Sequence, residues 1–233
     1  MSSPTIVGHV AVFGGADPYA LYGVDLRRHR LAWTLPLPGA LGGVDDNTPA
    51  AAHGVLYIQV PFGARAPRVM ELAVRATDGR VLWRRTLGTD IFNLAQVALW
   101  QGEVRAHGGE EAGVAAVAGG TLYVGSPGLP RLWALNARTG EPLWPRPAAL
   151  GMHVRSAPLI TAHRVFVANA RRLLELDRQT GAVLLRLRLG RRVHASGILI
   201  PCTSPAPTLV GHTLLLGEGV NTRVLYAVPL SQL

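Results

Sequence analysis

The stretch Leu132-Trp133-Ala134-Leu135-Asn136-Ala137-Arg138-Thr139-Gly140-Glu141-Pro142-Leu143-Trp144 decides the fold of this chain. It reads as an apolar strand, a tight turn built on Asn136, Thr139 and Gly140, and the start of a further strand carrying a large aromatic. Short polar side chains bond nearby backbone amides in such a turn, and glycine takes the positive-φ position. With Asn136 as anchor, the same frame recurs at Asp25, Arg75, Asp177 and Pro229, spaced by 50, 61, 41 and 52 residues. A period of this length belongs to repeat architectures in which each unit is one small sheet.

The positions within the frame agree in kind. Val24, Val74, Leu135, Leu176 and Val228 stand immediately before the anchor. Tyr22, Leu72, Trp133, Leu174 and Tyr226 stand three before it. Four after it come His29, Gly79, Gly140, Gly181 and Leu233, and eight after it come Trp33, Trp83, Trp144 and then Leu185, where the tryptophan is lost. Upstream of each anchor, a two-residue turn separates two apolar runs: Gly8-His9, His53-Gly54, Gly119-Gly120, His163-Arg164 and Gly211-His212. Gly-containing two-residue loops fit the primed turns that match strand twist, and His163-Arg164 is the poorest fit.

Each unit therefore reads as four antiparallel strands. Four strands cannot bury both their faces alone, but stacking them around an axis does. The expected fold is all-β: a β-propeller of about five four-stranded blades in a single domain over residues 1–233, with units at about 4–39, 49–88, 113–147, 156–190 and 206–233. The last copy stops where its outer strand should begin. That leaves a short fifth blade, a blade completed by another segment, or part of a larger ring. Residues 89–112, with Trp100, form the longest interruption and read as a loop or a replacement strand.

The frame Ala-x-Asn/Asp-x-x-Thr-Gly-x-x-x-Trp, nearly spelled out by Ala134, Asn136, Thr139, Gly140 and Trp144, resembles the tryptophan-docking motif of the pyrroloquinoline-quinone (PQQ) repeat family. The resemblance runs over about residues 4–233, with degraded copies at Asp25, Arg75 and Asp177. It implies the propeller. It leaves function open, because the family holds quinoprotein dehydrogenases that use the quinone with calcium as well as non-catalytic scaffolds of outer-membrane protein assembly. This chain is less than half the usual length of those dehydrogenases. It lacks their adjacent cysteine pair, since Cys202 is its single cysteine, and no clear Glu–Asn–Asp set for calcium stands out.

Composition excludes other classes. Hydrophobic residues make up 48% of the chain and charged residues 16%, which suits a folded core and not a disordered segment. One cysteine forms no internal disulfide. The net charge is +9. All 23 basic residues are arginine and they are scattered, which fits a GC-rich coding bias better than a nucleic-acid stripe, so nucleic acid is not an expected partner. No apolar run reaches the length of a membrane-spanning helix. The N-terminus shows no secretory signal, so a cytoplasmic location is expected, or a periplasmic or extracellular one if residues precede it.

The eight histidines invite a metal reading, but four of them, His9, His53, His163 and His212, fall in equivalent turns of different units and so lie far apart. No CxxC or i, i+4 His pair is present, and no metal is expected. Ser126-Pro127-Gly128 lacks the nucleophile-elbow frame, and the Gly-Gly pairs precede no helix. No catalytic residue is nominated. Function in propellers lies in the loops of one face. The candidate binding rim is Asp45, Asp46, Asn47, His153, Arg155, Arg191, Arg192 and His194. The leading expectation is a non-catalytic scaffold binding a protein or small ligand, with no cofactor. The alternative is a quinoprotein-like oxidoreductase, or part of one, binding PQQ and calcium.

Overall fold

The computed structural model describes residues 3–42, 44, 47–63, 65–90, 113–126, 128–169, 172–189, 206–217 and 225–232. Among them the chain is all-β, with one short 3-10 turn at Leu230–Gln232. The first sheet is β1 (Thr5–Val7), β2 (Val10–Gly15), β3 (Ala20–Asp25) and β4 (Arg30–Pro36). The second is β5 (Ala50–Ala52), β6 (Val55–Phe62), β7 (Arg68–Arg75) and β8 (Val81–Thr89). The third is β9 (Ala116–Ala118), β10 (Thr121–Gly125), β11 (Arg131–Asn136) and β12 (Ala148–Ala149). The fourth is β13 (Leu159–Ile160), β14 (Arg164–Asn169), β15 (Arg172–Asp177) and β16 (Val183–Arg188). The fifth has three strands, β17 (Thr208–Val210), β18 (Thr213–Gly217) and β19 (Leu225–Pro229). Every sheet is an antiparallel meander, and the inner strands of the first four follow one another in contact, β1 with β5, β5 with β9 and β9 with β13.

The cores lie between sheets. Val10, Val12 and Leu21 of the first sheet meet Leu56, Ile58 and Leu72 of the second. Tyr57, Val69 and Ala73, on the other face of the second sheet, meet Leu122, Val124 and Leu135 of the third. Strand alternation makes this possible: successive side chains serve opposite junctions, so a central strand is apolar on both faces.

The tryptophans lock the junctions in one direction. The indole Nε1 of Trp33 donates to Ala76 O at 2.9 Å, that of Trp83 to Ala137 O at 3.0 Å, and that of Trp144 to Arg178 O at 3.1 Å. Each acceptor is the residue after the anchor of the next sheet. The glycine of the turn is the floor on which the ring lies. A Cβ on Gly79 would stand 2.5 Å from the Trp33 ring, and one on Gly181 would stand 2.6 Å from the Trp144 ring. The glycine thus answers to the preceding sheet's tryptophan as well as to its own φ near +70°, +71° at Gly79 and +74° at Gly181.

The anchors act as turn caps. Asn136 Oδ1 accepts from the amides of Arg138 and Thr139 at 2.9 and 3.2 Å, and Asp177 Oδ1 from Gln179 and Thr180 at 3.0 and 2.8 Å. Arg75 cannot do this; Asp78, three residues on, accepts from Arg80 N at 3.1 Å, as Thr139 and Thr180 accept from Glu141 N and Ala182 N in their turns. Two details differ from the sequence expectation. The fourth hairpin turns one residue earlier, because Arg164 already belongs to β14 and Thr161 N donates to Arg164 O at 2.9 Å. The outer strand of the third sheet shrinks to two residues beyond Trp144, since Pro142, Pro145 and Pro147 remove the ladder donors. Of the long interruption, residues 91–112, including Trp100, lie outside the described residues.

Candidate functional site

The loops at one end join each outer strand to the next inner strand and each second strand to its third. The expected rim residues Asp45, Asp46, Arg191, Arg192 and His194 lie outside the described residues. His153 is exposed and Arg155 half-buried. Their backbone ties the third and fourth sheets together: Val114 N donates to Arg155 O at 2.8 Å, and Asn169 Nδ2 to His153 O at 3.4 Å. Asn47 is placed inside, 3% exposed, with its Nδ2 donating to Gln59 O and Gly113 O at 3.2 Å each.

Beneath this end, between the second and third sheets, lies a buried polar group that the sequence reading missed. Asn47, Gln59, Glu71, Asp90 and Ser126 are five of the eight buried polar residues found among the described residues. Gln59 bridges the sheets. Its Nε2 donates to Gly125 O at 2.9 Å, and its Oε1 accepts from Gly113 N at 2.8 Å. Gly113 passes so close to Gly125 that a Cβ would collide with the carbonyl.

Glu71 lies directly across the ladder from Gln59 and from Arg85 on β8. It is 0% exposed, and neither carboxyl oxygen has a hydrogen-bond partner among the described residues. Burial pushes its pKa well above the usual 4.5, with Gln59 pulling the other way. Burial is the larger of the two influences. Arg85 gives no relief, since its Nη1 donates to Gly140 O at 2.9 Å and pairs with Glu141 at 3.4 Å. Without a countercharge, a carboxyl in this place holds its proton to higher pH than a solvated one, as desolvation penalises the ion. Asn47 Oδ1 is likewise buried and unpartnered.

The signal for this group was in the repeat. At the positions of Gln59 and Glu71 the other sheets carry Gly14 with Leu21, Gly125 with Leu132, Ala168 with Leu173 and Gly217 with Leu225. The second sheet replaces a small residue and a leucine by an amide and an acid. Only the alignment of units at four residues before the anchor exposes it.

The family model described as outer membrane protein assembly factor BamB matches residues 69–229. The chain belongs to this PQQ-repeat family. A tetrathionate hydrolase of Acidithiobacillus ferrooxidans is 28% identical over 240 residues, covering 99% of this chain and 43% of that protein. The chain thus spans less than half the length of this curated relative. BamB from Moraxella catarrhalis superposes with a TM-score of 0.61 at 16% identity, over 93% of this chain and 58% of that one. The quinohemoprotein alcohol dehydrogenase of Comamonas testosteroni gives 0.56 at 13% identity, over 97% and 38%. These likenesses show the β-propeller fold.

The described residues bring together no carboxylate cluster for the calcium implied by the dehydrogenases of this PQQ family. Calcium takes six to eight oxygens. No group of three His, Cys, Asp or Glu side chains comes together among the described residues. Glu71 and Asn47 offer hard oxygens, but Glu71 is closed off between two sheets. No helix among the described residues is long and apolar enough to cross a membrane.

Proposed function

We propose that this propeller segment binds a sulfur oxyanion of the tetrathionate class at its loop end. The likeness to a tetrathionate hydrolase, running through 99% of the chain, carries this reading. Charge supports it. Tetrathionate is a dianion, and the chain carries +9. Arg155 and His153 lie in one connection at this end, and Arg191, Arg192 and His194 follow the outer strand of the next unit in sequence. Arginine suits sulfonate oxygens as it suits carboxylate or phosphate, through paired N–H donors. The chain's own part is binding and orientation, with an anion held among cations and with no bond-breaking group assigned to it.

Titration calorimetry of the purified chain with tetrathionate, with sulfate and chloride as controls, tests this. Saturable binding is expected, weakening with salt and lost at least tenfold in Arg155→Ala or in Arg191→Ala with Arg192→Ala. Equal response to all three anions, or none at millimolar tetrathionate, overturns it. Adding the quinone with calcium is expected to give no saturable heat. Saturable heat there, with dye-linked alcohol oxidation, replaces this reading by the oxidoreductase one.

A further inference from the structure

We propose that the end of this propeller opposite the loops docks on an anionic lipid surface. Each sheet brings its two tight turns to one end. In the second sheet Ala52 pairs with Val55 and Val55 with Arg75, and in the third Ala118 pairs with Thr121 and Thr121 with Asn136. The indoles of Trp33, Trp83 and Trp144 tie each outer strand to the next sheet's turn, so the turns of the first four sheets share this end. The links are short, with only His53-Gly54 between β5 and β6 and only Gly119-Gly120 between β9 and β10, which keeps this end flat. The longer connections leave from the opposite end.

The acids of this end are used within the fold. Asp25 lies 3.7 Å from Arg28, Asp78 3.0 Å from Arg75 and Glu141 3.4 Å from Arg85, and Asp177 accepts from its own turn amides. Arg27, Arg30, Arg80 and Arg138 are exposed, and their guanidinium groups make no hydrogen bond or ion pair among the described residues. Apolar side chains accompany them. Just before the tryptophan position, the second, third and fourth sheets each show a leucine: Leu82 is 40%, Leu143 48% and Leu184 51% exposed. Leu82 and Leu184 are the extra residues of β-bulges, since Ala73 and Val74 face Trp83 and Val81, and Glu175 and Leu176 face Leu185 and Val183. Leu143 lines a groove of about 360 Å³ with Ala162 and Gln179, from the turns of the fourth sheet, which sets it at the same end. The second and third sheets are covered on both faces, so Leu82 and Leu143 are not exposed for want of an adjoining sheet. A leucine one or two residues beyond its turn lies within roughly 7 Å of the end, inside the depth of about 5–10 Å to which interfacial elements sink into a bilayer. Arginine is drawn to anionic headgroups and leucine to the acyl boundary. Exposed leucines beside the arginines favour lipid over nucleic acid, whose phosphates offer nothing apolar. Docked in this way, the propeller turns its loop end away from the membrane.

Flotation of the purified chain with vesicles of phosphatidylcholine, with and without phosphatidylglycerol, tests the contact. Binding is expected only with phosphatidylglycerol, and it weakens as salt rises. Arg80→Gln with Arg138→Gln is expected to lose roughly 25-fold, about fivefold for each arginine. Leu82→Ser with Leu143→Ser is expected to weaken binding at unchanged net charge. Arg65→Gln with Arg188→Gln removes the same charge from the loop end and is expected to stay near the parent's affinity. All six side chains are exposed, so circular dichroism and melting are expected to match the parent. No binding with phosphatidylglycerol, equal binding to phosphatidylcholine alone, an equal loss in the loop-end variant, binding that the leucine variant leaves intact, or tighter retention on double-stranded DNA than on the vesicles at the same salt overturns the proposal.

Discussion

Replacing Glu71 by glutamine is expected to change how stability depends on pH more than stability itself. The carboxyl is fully buried and unpartnered, and its pKa is raised well above 4.5 by loss of water. In the unfolded chain it titrates near its ordinary value. Between the two values, the folded protein keeps the proton and the unfolded chain releases it. The stabilising contribution of the protonated group is therefore complete below the unfolded value and is lost as pH rises toward the folded one. The limiting slope is about 1.4 kcal/mol per pH unit over the range in which the folded protein keeps this proton and the unfolded chain has released it. Glutamine has nearly the same shape and no proton to lose. It must still bury an amide, which shifts its stability at every pH by a constant of about 1–3 kcal/mol if its hydrogen bonds go unmade. Intercept and slope therefore separate. Urea unfolding of both proteins at several pH values from 4 to 7 reads the difference. The parent is expected to lose ground to Glu71→Gln as pH rises above the unfolded value. Parallel curves would refute the reasoning, because they would mean that Glu71 is paired or hydrated in the fold and titrates as it does unfolded.

The junctions make further tests. Trp83→Ala is expected to cost about 3–5 kcal/mol in chemical unfolding, since it empties the second-to-third seam and strands Ala137 O. Gly140→Ala is expected to be destabilising as well, because its Cβ would meet the Trp83 ring at 2.8 Å, and a Trp83→Ala background should absorb much of that cost. Gln59→Ala is expected to lose about 2–4 kcal/mol by leaving Gly113 N and Gly125 O buried without partners. Asp177→Asn is expected to flatten the acid side of the stability profile. Thr180, through its hydroxyl and then its amide, holds the Asp177 carboxyl below its ordinary 3.8, so this carboxylate stabilises above that value and stops doing so as pH falls through the folded one.

The strand–turn–strand frame around Asn136 was enough to find the five sheets, their meander order and the seams sealed by indoles. Those features rest on local rules, such as turn caps, positive-φ glycines and two-residue alternation, and local rules are written in consecutive residues. The frame also held, unread, the pairing of Trp33 with Gly79, of Trp83 with Gly140 and of Trp144 with Gly181, because each pair joins neighbouring units and not neighbouring residues.

The candidate site was less legible. Asn47 has the composition of a rim residue, yet it is drawn inside to hold Gln59 and Gly113 across two sheets. Glu71 looks like one polar interruption in an apolar strand. What raises its pKa is the closure of the third sheet over it, while Arg85 is engaged with Gly140 and Glu141. Sequence alone determined which way each side chain faces within its sheet, because the strand period fixes that. Only the tertiary structure decided which of those faces were buried and which left open, because burial depends on the neighbouring sheet. The surroundings, not the residue type, set the charge of Glu71 and the exposure of Ile6.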